Sequence, residues 1–356
     1  MKYNLGLKFT NQVFLNLKHY WFLILLILVF WYRVDLNCFK IECRFEEKDL
    51  YSFVNYKIFQ QIRQHSINTI EQNFPSPHSE LLLGMTIGID NLYLVPSFKQ
   101  ALKNTGTIHV VVVSGFNISL VFGTILSILK SKYKYKNLVL AQIITILYCV
   151  LTGFEPPIVR ALVMGSIVNW ATYLGRGINT LLTIVTSAFF IMAIQPLYFF
   201  SLSFILSTMA TIGLVLISPI LNIFIKKLFK QDNILLQDFV SGLSANSTVW
   251  PLISYYFGSL SLVGLVANAV ILWTVSVTTI LGTIFIILSF INIYVASILM
   301  IPLFVLTDIF VNGVYFFNNL EFGYYNFKIS LWALLLYYVL LFSTVFLISK
   351  RIKKFN

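Results

Sequence analysis

Long apolar segments recur along nearly the whole chain, and only short polar stretches separate them. In a soluble domain, roughly a quarter of all residues are charged. In this sequence Asp, Glu, Lys and Arg make up only 11%, and hydrophobic residues make up 58%. No water-soluble core could bury so much apolar surface. Because backbone groups in hydrocarbon must bond within their own segment, the sequence predicts an all-α polytopic membrane protein.

A helix that crosses a bilayer needs about 20 predominantly apolar residues. Segments of this kind predict about ten transmembrane helices, of which the first, third and fourth are short. The third and fourth fit either two crossings or one broken, re-entrant pair. The segments are residues 19–32, 108–129, 138–153, 158–174, 178–195, 198–218, 238–257, 262–290, 292–313 and 329–349.

Lysine and arginine clusters indicate the orientation, because cytoplasmic loops carry an excess of these residues. The clusters precede the first segment and follow the second, sixth and tenth, so ten crossings place all of them, and both termini, on the cytoplasmic side. Attraction to anionic lipid also accounts for the net charge of +12 without a nucleic-acid partner. The clusters are Lys2, Lys8 and Lys18; Lys130, Lys132, Lys134 and Lys136; Lys226, Lys227 and Lys230; and Lys350, Arg351, Lys353 and Lys354.

The chain divides into four parts on this basis. Residues 1–32 are the cytoplasmic N-terminus and first helix, and residues 33–104 form an exterior segment. Within that segment, residues 39–46 alternate like a half-buried strand, and residues 53–74 have helical spacing that ends before Pro75 and Pro77. Residues 105–313 are the transmembrane core, and residues 314–356 hold the last helix and a basic cytoplasmic tail.

Polar residues interrupt the apolar run 105–123, which carries His109, Ser114, Gly115 and Asn117. Hydrocarbon offers such groups no hydrogen-bond partner, so they face either a neighbouring helix or a wet cavity. Small and polar residues also permit close helix packing, and the run taken alone fits both interpretations.

Residues 152–161 describe a broken helix, since Gly153, Pro156 and Pro157 separate two apolar runs. Such breaks are tolerated only against protein or a wet cavity. Arg160 follows the break, and two roles are open to it. It could pair with Glu155 in a structural salt bridge, or present a fixed positive charge to an anion.

Two later groups also place polar residues at membrane depth. Hydroxyls near Ser203 follow Pro196, and they suit bonds to carbonyls one turn earlier. Asn246 and Asn268 flank a turn at Gly258 and need buried partners, and Asp308 is either neutral or faces water.

The sequence lacks the patterns of the common catalytic sites. It has no Ser/His/Asp ordering, HExxH pair, phosphate-cradling loop or Walker pattern, and its four histidines and three cysteines have no metal-ligand spacing. We therefore expect no enzyme activity, no cofactor and no metal.

The four polar segments, in order, resemble the membrane competence domain of the ComEC family of DNA-uptake proteins. The resemblance covers roughly residues 81–290, so the core 105–313 is of the competence type. The matching residues are His109, Ser114, Gly115, Phe116, Asn117 and Ile118 in the first segment; Gly153, Phe154, Arg160 and Ala161 in the second; Pro196, Leu197, Phe200, Leu202, Ser203 and Phe204 in the third; and Tyr256, Phe257, Gly258, Leu260, Ser261, Ala267 and Asn268 in the fourth.

The resemblance implies a channel that takes single-stranded DNA across the cytoplasmic membrane. It suggests His109, Ser114, Asn117, Arg160, Asn246 and Asn268 as residues along the DNA path, with Gly115, Gly153, Pro156, Pro157, Ser203 and Gly258 in structural roles. It also implies partners beyond the DNA and the lipid bilayer, namely a DNA receptor, a separate nuclease and a cytoplasmic helicase-type ATPase.

The sequence departs from the family pattern in two respects. Asn117 stands where the family has a histidine, so this position can form hydrogen bonds but cannot carry a proton. The metallo-β-lactamase-like domain of many members has no counterpart here, and residues 33–50 are at most a reduced remnant of an OB-like region. Two other functions remain open: a secondary transporter of a small solute, or a degenerate scaffold of a DNA-uptake complex.

Overall fold

Helices make up nearly all of the computed structural model, which describes residue 28 and residues 57–111, 115–129, 135–153, 156–194, 201–229, 234–320 and 324–355. The helices are α1 (Lys57–Asn73), α2 (His78–Ile87), α3 (Pro96–Asn104), α4 (Ile108–Val111), α5 (Gly115–Ile128), α6 (Tyr135–Thr152), α7 (Pro156–Tyr173), α8 (Thr180–Ile194), α9 (Leu202–Leu216), α10 (Ser218–Phe229), α11 (Ile234–Phe257), α12 (Gly264–Ile291), α13 (Ile293–Ala296), α14 (Met300–Asn318) and α15 (Leu331–Phe355). Two short strands, β1 (Ser259–Ser261) and β2 (Tyr324–Asn326), complete the fold. The all-α prediction is confirmed.

The number of crossings is smaller than the sequence suggested. Among the described residues, four helices are long and apolar enough to span a membrane: Tyr135–Thr152, Gly264–Ile291, Ile293–Asn318 and Leu331–Arg351. The helices α9 and α10, which bend by 42° at their junction, make a fifth span if they are counted as one. The prediction of about ten was wrong for the part of the chain that the structure describes.

The physical reason lies in helix length and polarity. The apolar runs at α5 and α8 form helices of only 14 and 15 residues, shorter than the bilayer core requires. The helices α7 and α11 are longer, but polar residues such as Arg160 and Asp238 reduce their hydropathy. The predicted first segment, 19–32, lies outside the described residues except for Leu28.

The main core forms around α2, whose ten residues are all buried. It packs against α12 and α14, and α3 and α4 close over one end. The predicted helix within residues 53–74 is confirmed from Lys57 to Asn73 and ends before Pro75, as expected. The short helix α3 packs on α14 and buries Phe98, Ala101 and Leu102. The larger buried side chains of this core are Ile70, Phe74, Leu81, Leu82, Met85, Phe98, Leu102, Ile271, Phe285 and Phe310.

A second group contains α5, α6 and α7, which pack against one another around Ile118, Cys149 and Ile158. Gly115 begins α5 at a close approach to α7, where an added Cβ would lie 2.9 Å from the Cβ of Ala161. A side chain here would therefore push the two helices apart, which fits the structural role that the sequence suggested for Gly115.

A third group contains α9, α10, α11 and α15, with its closest contact between α9 and α11. At Gly213 an added Cβ would meet the Ser244 carbonyl oxygen and lie 2.6 Å from Thr248 Oγ1. Thr248 Oγ1 also donates to the Met209 carbonyl at 2.8 Å, across the same contact. The small residues at this contact thus allow the backbones of α9 and α11 to approach closely, as small residues do in membrane helix pairs.

Helix α15 is held on α11 at the point where a proline interrupts the backbone ladder. Pro251 has no N–H, so the carbonyl of Ser247, four residues earlier, lacks its usual intrahelical donor. The hydroxyl of Tyr337 on α15 donates to this carbonyl at 2.9 Å, and Tyr338 donates to the next one, Thr248, at 2.6 Å. A neighbouring helix therefore restores the bond that the proline removes, as membrane proteins require.

The two strands form a small antiparallel ribbon that follows α11. Leu260 lies opposite Tyr325, and Ser254 near the end of α11 donates to the carbonyl of Phe327. Gly258 has a φ of 66°, a left-handed conformation that glycine adopts without strain, so the turn predicted there is confirmed. The predicted strand within residues 39–46 lies outside the described residues.

Candidate functional site

Arg160 lies in α7 where this helix meets α9. Its Nη1 donates to Thr211 Oγ1 at 2.5 Å, whereas its buried Nε has no hydrogen-bond partner among the described residues. The hydroxyl of Thr208, one turn before Thr211, is also buried and finds no partner in that part of the chain. Thr211 thus holds the guanidinium at Nη1, and the described residues leave its Nε–H unsatisfied.

The charge of Arg160 is not balanced within the described part of the chain. Thr211 is the hydrogen-bond partner that the described residues provide, and it is neutral. Glu155, the other half of the salt bridge considered above, lies outside the described residues. A buried charge is costly unless it is paired, and a guanidinium presents a fork that fits phosphate oxygens.

Asn117 is fully buried where α5 meets α2, and it joins two of the helix groups. Its Nδ2 donates to the Met85 carbonyl at 3.3 Å, and Thr279 Oγ1 approaches the same carbonyl at 3.5 Å. The Oδ1 of Asn117 has no hydrogen-bond partner within the described ranges. The structure places this residue in a helix contact and not on an open surface.

A shallow, open depression of about 340 Å³, called the groove on α5 below, lies on an exposed face of this helix and is lined by residues of α5 alone. Phe116 stands at one end with 56% of its side chain exposed, and hydroxyls and a glycine follow at helical spacing. Lipid offers hydroxyl groups no hydrogen-bond partner, so this face suits water, a polar ligand or another chain. The lining residues are Phe116, Ser119, Leu120, Gly123, Thr124 and Ser127.

The other predicted path residues are spread over several helices. His109 on α4 is exposed, and its Nδ1 lies 2.9 Å from the Gly106 carbonyl, so this nitrogen carries the proton of that bond. Asn246 is half-buried on α11, and Asn268 on α12 has a buried Oδ1 to which no described residue donates. No hydrogen bond among the described residues joins them to Arg160, and Ser114 lies outside the described part.

The residues predicted to have structural roles occupy helix ends. Gly153 follows α6 with a φ of 97°, and α7 begins at Pro156 and Pro157. Ser203 is exposed in the first turn of α9. Among the described residues, no group of three or more His, Cys, Asp or Glu could hold a metal ion.

Sequence reasoning missed four contacts that organise this region. Gly213, Tyr337 and Tyr338 gave no signal, because each acts through a partner far away in the chain. The pairing of Thr211 with Arg160 was missed for the same reason. Only the unsatisfied carbonyl left by Pro251 could have been read directly from the sequence, as a requirement for a donor on another helix.

Comparisons with known proteins agree with the arrangement of the polar segments. A family model described as "Competence protein" matches residues 85–351. ComE operon protein 3 of Bacillus subtilis (strain 168) is 24% identical over 222 residues, which are 60% of this chain and 26% of that relative. The chain thus spans about a quarter of the relative's length. No solved structure matches.

Proposed function

Because this chain belongs to the competence-protein family, we propose that it lines the path by which single-stranded DNA crosses the cytoplasmic membrane during DNA uptake. The family match includes both Arg160 and the groove on α5. The relative is much longer than the region of similarity, so the proposal concerns passage through the membrane and no other activity of that protein.

Arg160 is the observation that carries the proposal. A polyanion needs positive charge along its path, since phosphate contacts dominate nucleic-acid affinity. The guanidinium of Arg160 is held by neutral Thr211, and its Nε has no partner in the part of the chain that the structure describes. A phosphate that binds here would satisfy this donor and balance a charge that the described residues leave unpaired.

The groove on α5 adds a surface suited to a single strand. Exposed aromatic rings bind unpaired bases by stacking, with little regard to sequence, and Phe116 is half exposed at one end of this groove. The hydroxyls of Ser119, Thr124 and Ser127 keep its wall polar. The groove thus offers a base-stacking platform, while Arg160 offers a phosphate contact on α7.

Passage of DNA needs partners as well as a path. The chain has no nucleotide-binding pattern, so a cytoplasmic helicase-type ATPase would pull the strand inward, and a DNA receptor and a separate nuclease would deliver it outside. In this arrangement both termini of the chain face the cytoplasm, because the basic clusters lie on the cytoplasmic side.

Uptake of fluorescent DNA by a deletion strain tests the proposal. The strain is complemented with the wild-type chain, Arg160→Ala, Arg160→Lys or Arg176→Ala, and membrane levels are matched by immunoblot. Losing a charge-assisted hydrogen bond costs about 1.5–3 kcal/mol, so Arg160→Ala should reduce uptake at least about tenfold. Arg160→Lys keeps the charge and should retain part of the uptake, and exposed Arg176 is the matched control.

Two results would count against this function. Unchanged uptake in the deletion strain would reject the DNA path altogether. It would favour a small-solute transporter, for which the bent pair α9–α10 is a suitable element. Equal uptake by Arg160→Ala and the wild type would remove Arg160 from the path but leave the groove on α5 to be tested with Phe116→Ala.

A further inference from the structure

His78 has a buried imidazole and is distant along the chain from the residues of the candidate functional site. It begins α2 with 7% of its surface exposed, and its Nδ1 lies 3.2 Å from Thr307 Oγ1 on α14. Its ring also packs on Phe304, with 4.8 Å between the ring centroids. Neither the family resemblance nor the proposed DNA path gives this residue a role.

The hydrogen bonds around Thr307 determine which nitrogen of His78 carries its proton. The Thr307 hydroxyl has a single proton. Its Oγ1 lies 2.9 Å from the Leu303 carbonyl oxygen and 3.0 Å from the Phe304 carbonyl oxygen. When that proton is donated to one of these carbonyls, Thr307 Oγ1 is left to accept from His78. Nδ1 is therefore the N–H of the neutral ring, and Nε2, which has no partner among the described residues, holds the free lone pair.

Two acidic residues lie near this imidazole along the chain: Glu80 is two residues after His78 on α2, and Asp308 follows its partner Thr307 on α14. Glu80 lies in the first turn of α2, 8% exposed, and accepts from Ser79 Oγ at 2.9 Å. Asp308 lies on the span α14 and accepts from Asn312 Nδ2 at 2.9 Å. The helix α2 is not itself one of the candidate spans. Burial lowers the pKa of His78 below its ordinary value, and Asp308 and Glu80 oppose this effect.

The remaining ionisable residues on the helices packed against α2 are not among the groups that act on His78. The helix α12 contributes none. They are Lys57, Arg63, His65 and Glu71 on α1, His109 on α4, Tyr135, Lys136, Tyr148 and Cys149 on α6, and Tyr315 on α14.

We propose that His78, Glu80 and Asp308 form a proton-binding site where α2 meets α14. A proton from solvent adds to the Nε2 lone pair and gives an imidazolium, whose charge Asp308 and Glu80 favour. Uptake of one proton places a positive charge on His78 inside the main core. It therefore changes the electrostatic interaction between α2, which is fully buried, and the span α14. Asp308 lies on a candidate span, and ionisable residues within membrane spans often belong to proton pathways.

Nitrogen NMR of the full chain, labelled with ¹⁵N-histidine and held in lipid nanodiscs, tests this site. The chain has four histidines, so the signal lost in His78→Gln identifies His78 without further assignment. We expect an Nδ1–H tautomer at neutral pH that converts to imidazolium as the pH falls. A nearby carboxylate raises the pKa of a histidine, so Asp308→Asn and Glu80→Gln should each move the midpoint to lower pH, by up to about one unit.

The control is Glu71→Gln, which removes an exposed carboxylate from α1 and should leave the midpoint unchanged. An Nε2–H tautomer would overturn the assignment of the binding atom. A midpoint that moves with neither Asp308→Asn nor Glu80→Gln would overturn the site. Both readouts are independent of DNA uptake, so a failure here does not bear on the proposed function, and the reverse also holds.

Discussion

Single residues without large side chains determine how closely the helices approach. Gly213 illustrates this, because its missing side chain lets the backbone of α9 lie against the Ser244 carbonyl of α11. Gly165 on α7 offers the contrast, since an added Cβ there would meet nothing within 4 Å. The same residue type thus has a packing role at one position and none at the other.

Gly213→Ala should lower the free energy of unfolding by about 1–3 kcal/mol, because overpacking a close contact forces the helices apart. Gly165→Ala should be neutral or stabilising by up to about 1 kcal/mol, since alanine favours a helix interior. Thermal unfolding in detergent micelles compares the two. Equal stability of both variants would contradict the close approach of α9 and α11.

At the scale of elements, α11 and α15 depend on each other through Pro251. The tyrosine hydroxyl of Tyr337 supplies the donor that the proline lacks. This dependence is specific: if position 251 had an N–H, the Ser247 carbonyl would find its donor inside α11, and Tyr337 would lose most of its importance.

A double-mutant cycle measures this coupling. Tyr337→Phe should cost about 0.5–1.5 kcal/mol of stability in the wild-type chain, the usual contribution of one hydrogen bond. In a Pro251→Ala background the cost should be smaller, which gives a coupling energy of at least about 0.5 kcal/mol. Tyr93→Phe, at a residue with 65% exposure, is the control. Additive effects of Tyr337→Phe and Pro251→Ala would show that the two residues act independently.

For the whole molecule, the basic residues at the end of α15 predict that the C-terminus is cytoplasmic. A green fluorescent protein fused after Asn356 should therefore fluoresce, whereas alkaline phosphatase fused at the same point should be inactive. The opposite pair of results would place the tail outside and reverse the orientation of α15. Exchanging Lys350 and Arg351 for glutamine serves as the control for the charge argument, because it should weaken the preference.

Apolar composition predicted the fold class and most helices, because burial and backbone bonding in lipid leave few alternatives to a helix. It overestimated the crossings, since hydropathy does not show where a run such as α5 ends after 14 residues. Arg160 was predicted as an interior cation from its surroundings in the sequence. Its hydrogen-bond partner Thr211, 51 residues away, could not be predicted, because the packing of the helices determines which distant residues come into contact.

The bond between Tyr337 and Ser247 also has a consequence for the order in which the protein is made. The two residues are 90 positions apart, so the ribosome produces α11 well before the helix that completes its backbone bonding. Until α15 arrives, the Ser247 carbonyl must find a donor in water, in lipid headgroups or in the insertion machinery. Packing of α15 is therefore the step that gives the Ser247 carbonyl its donor within the protein, and α11 completes its backbone bonding only after α15 has been made.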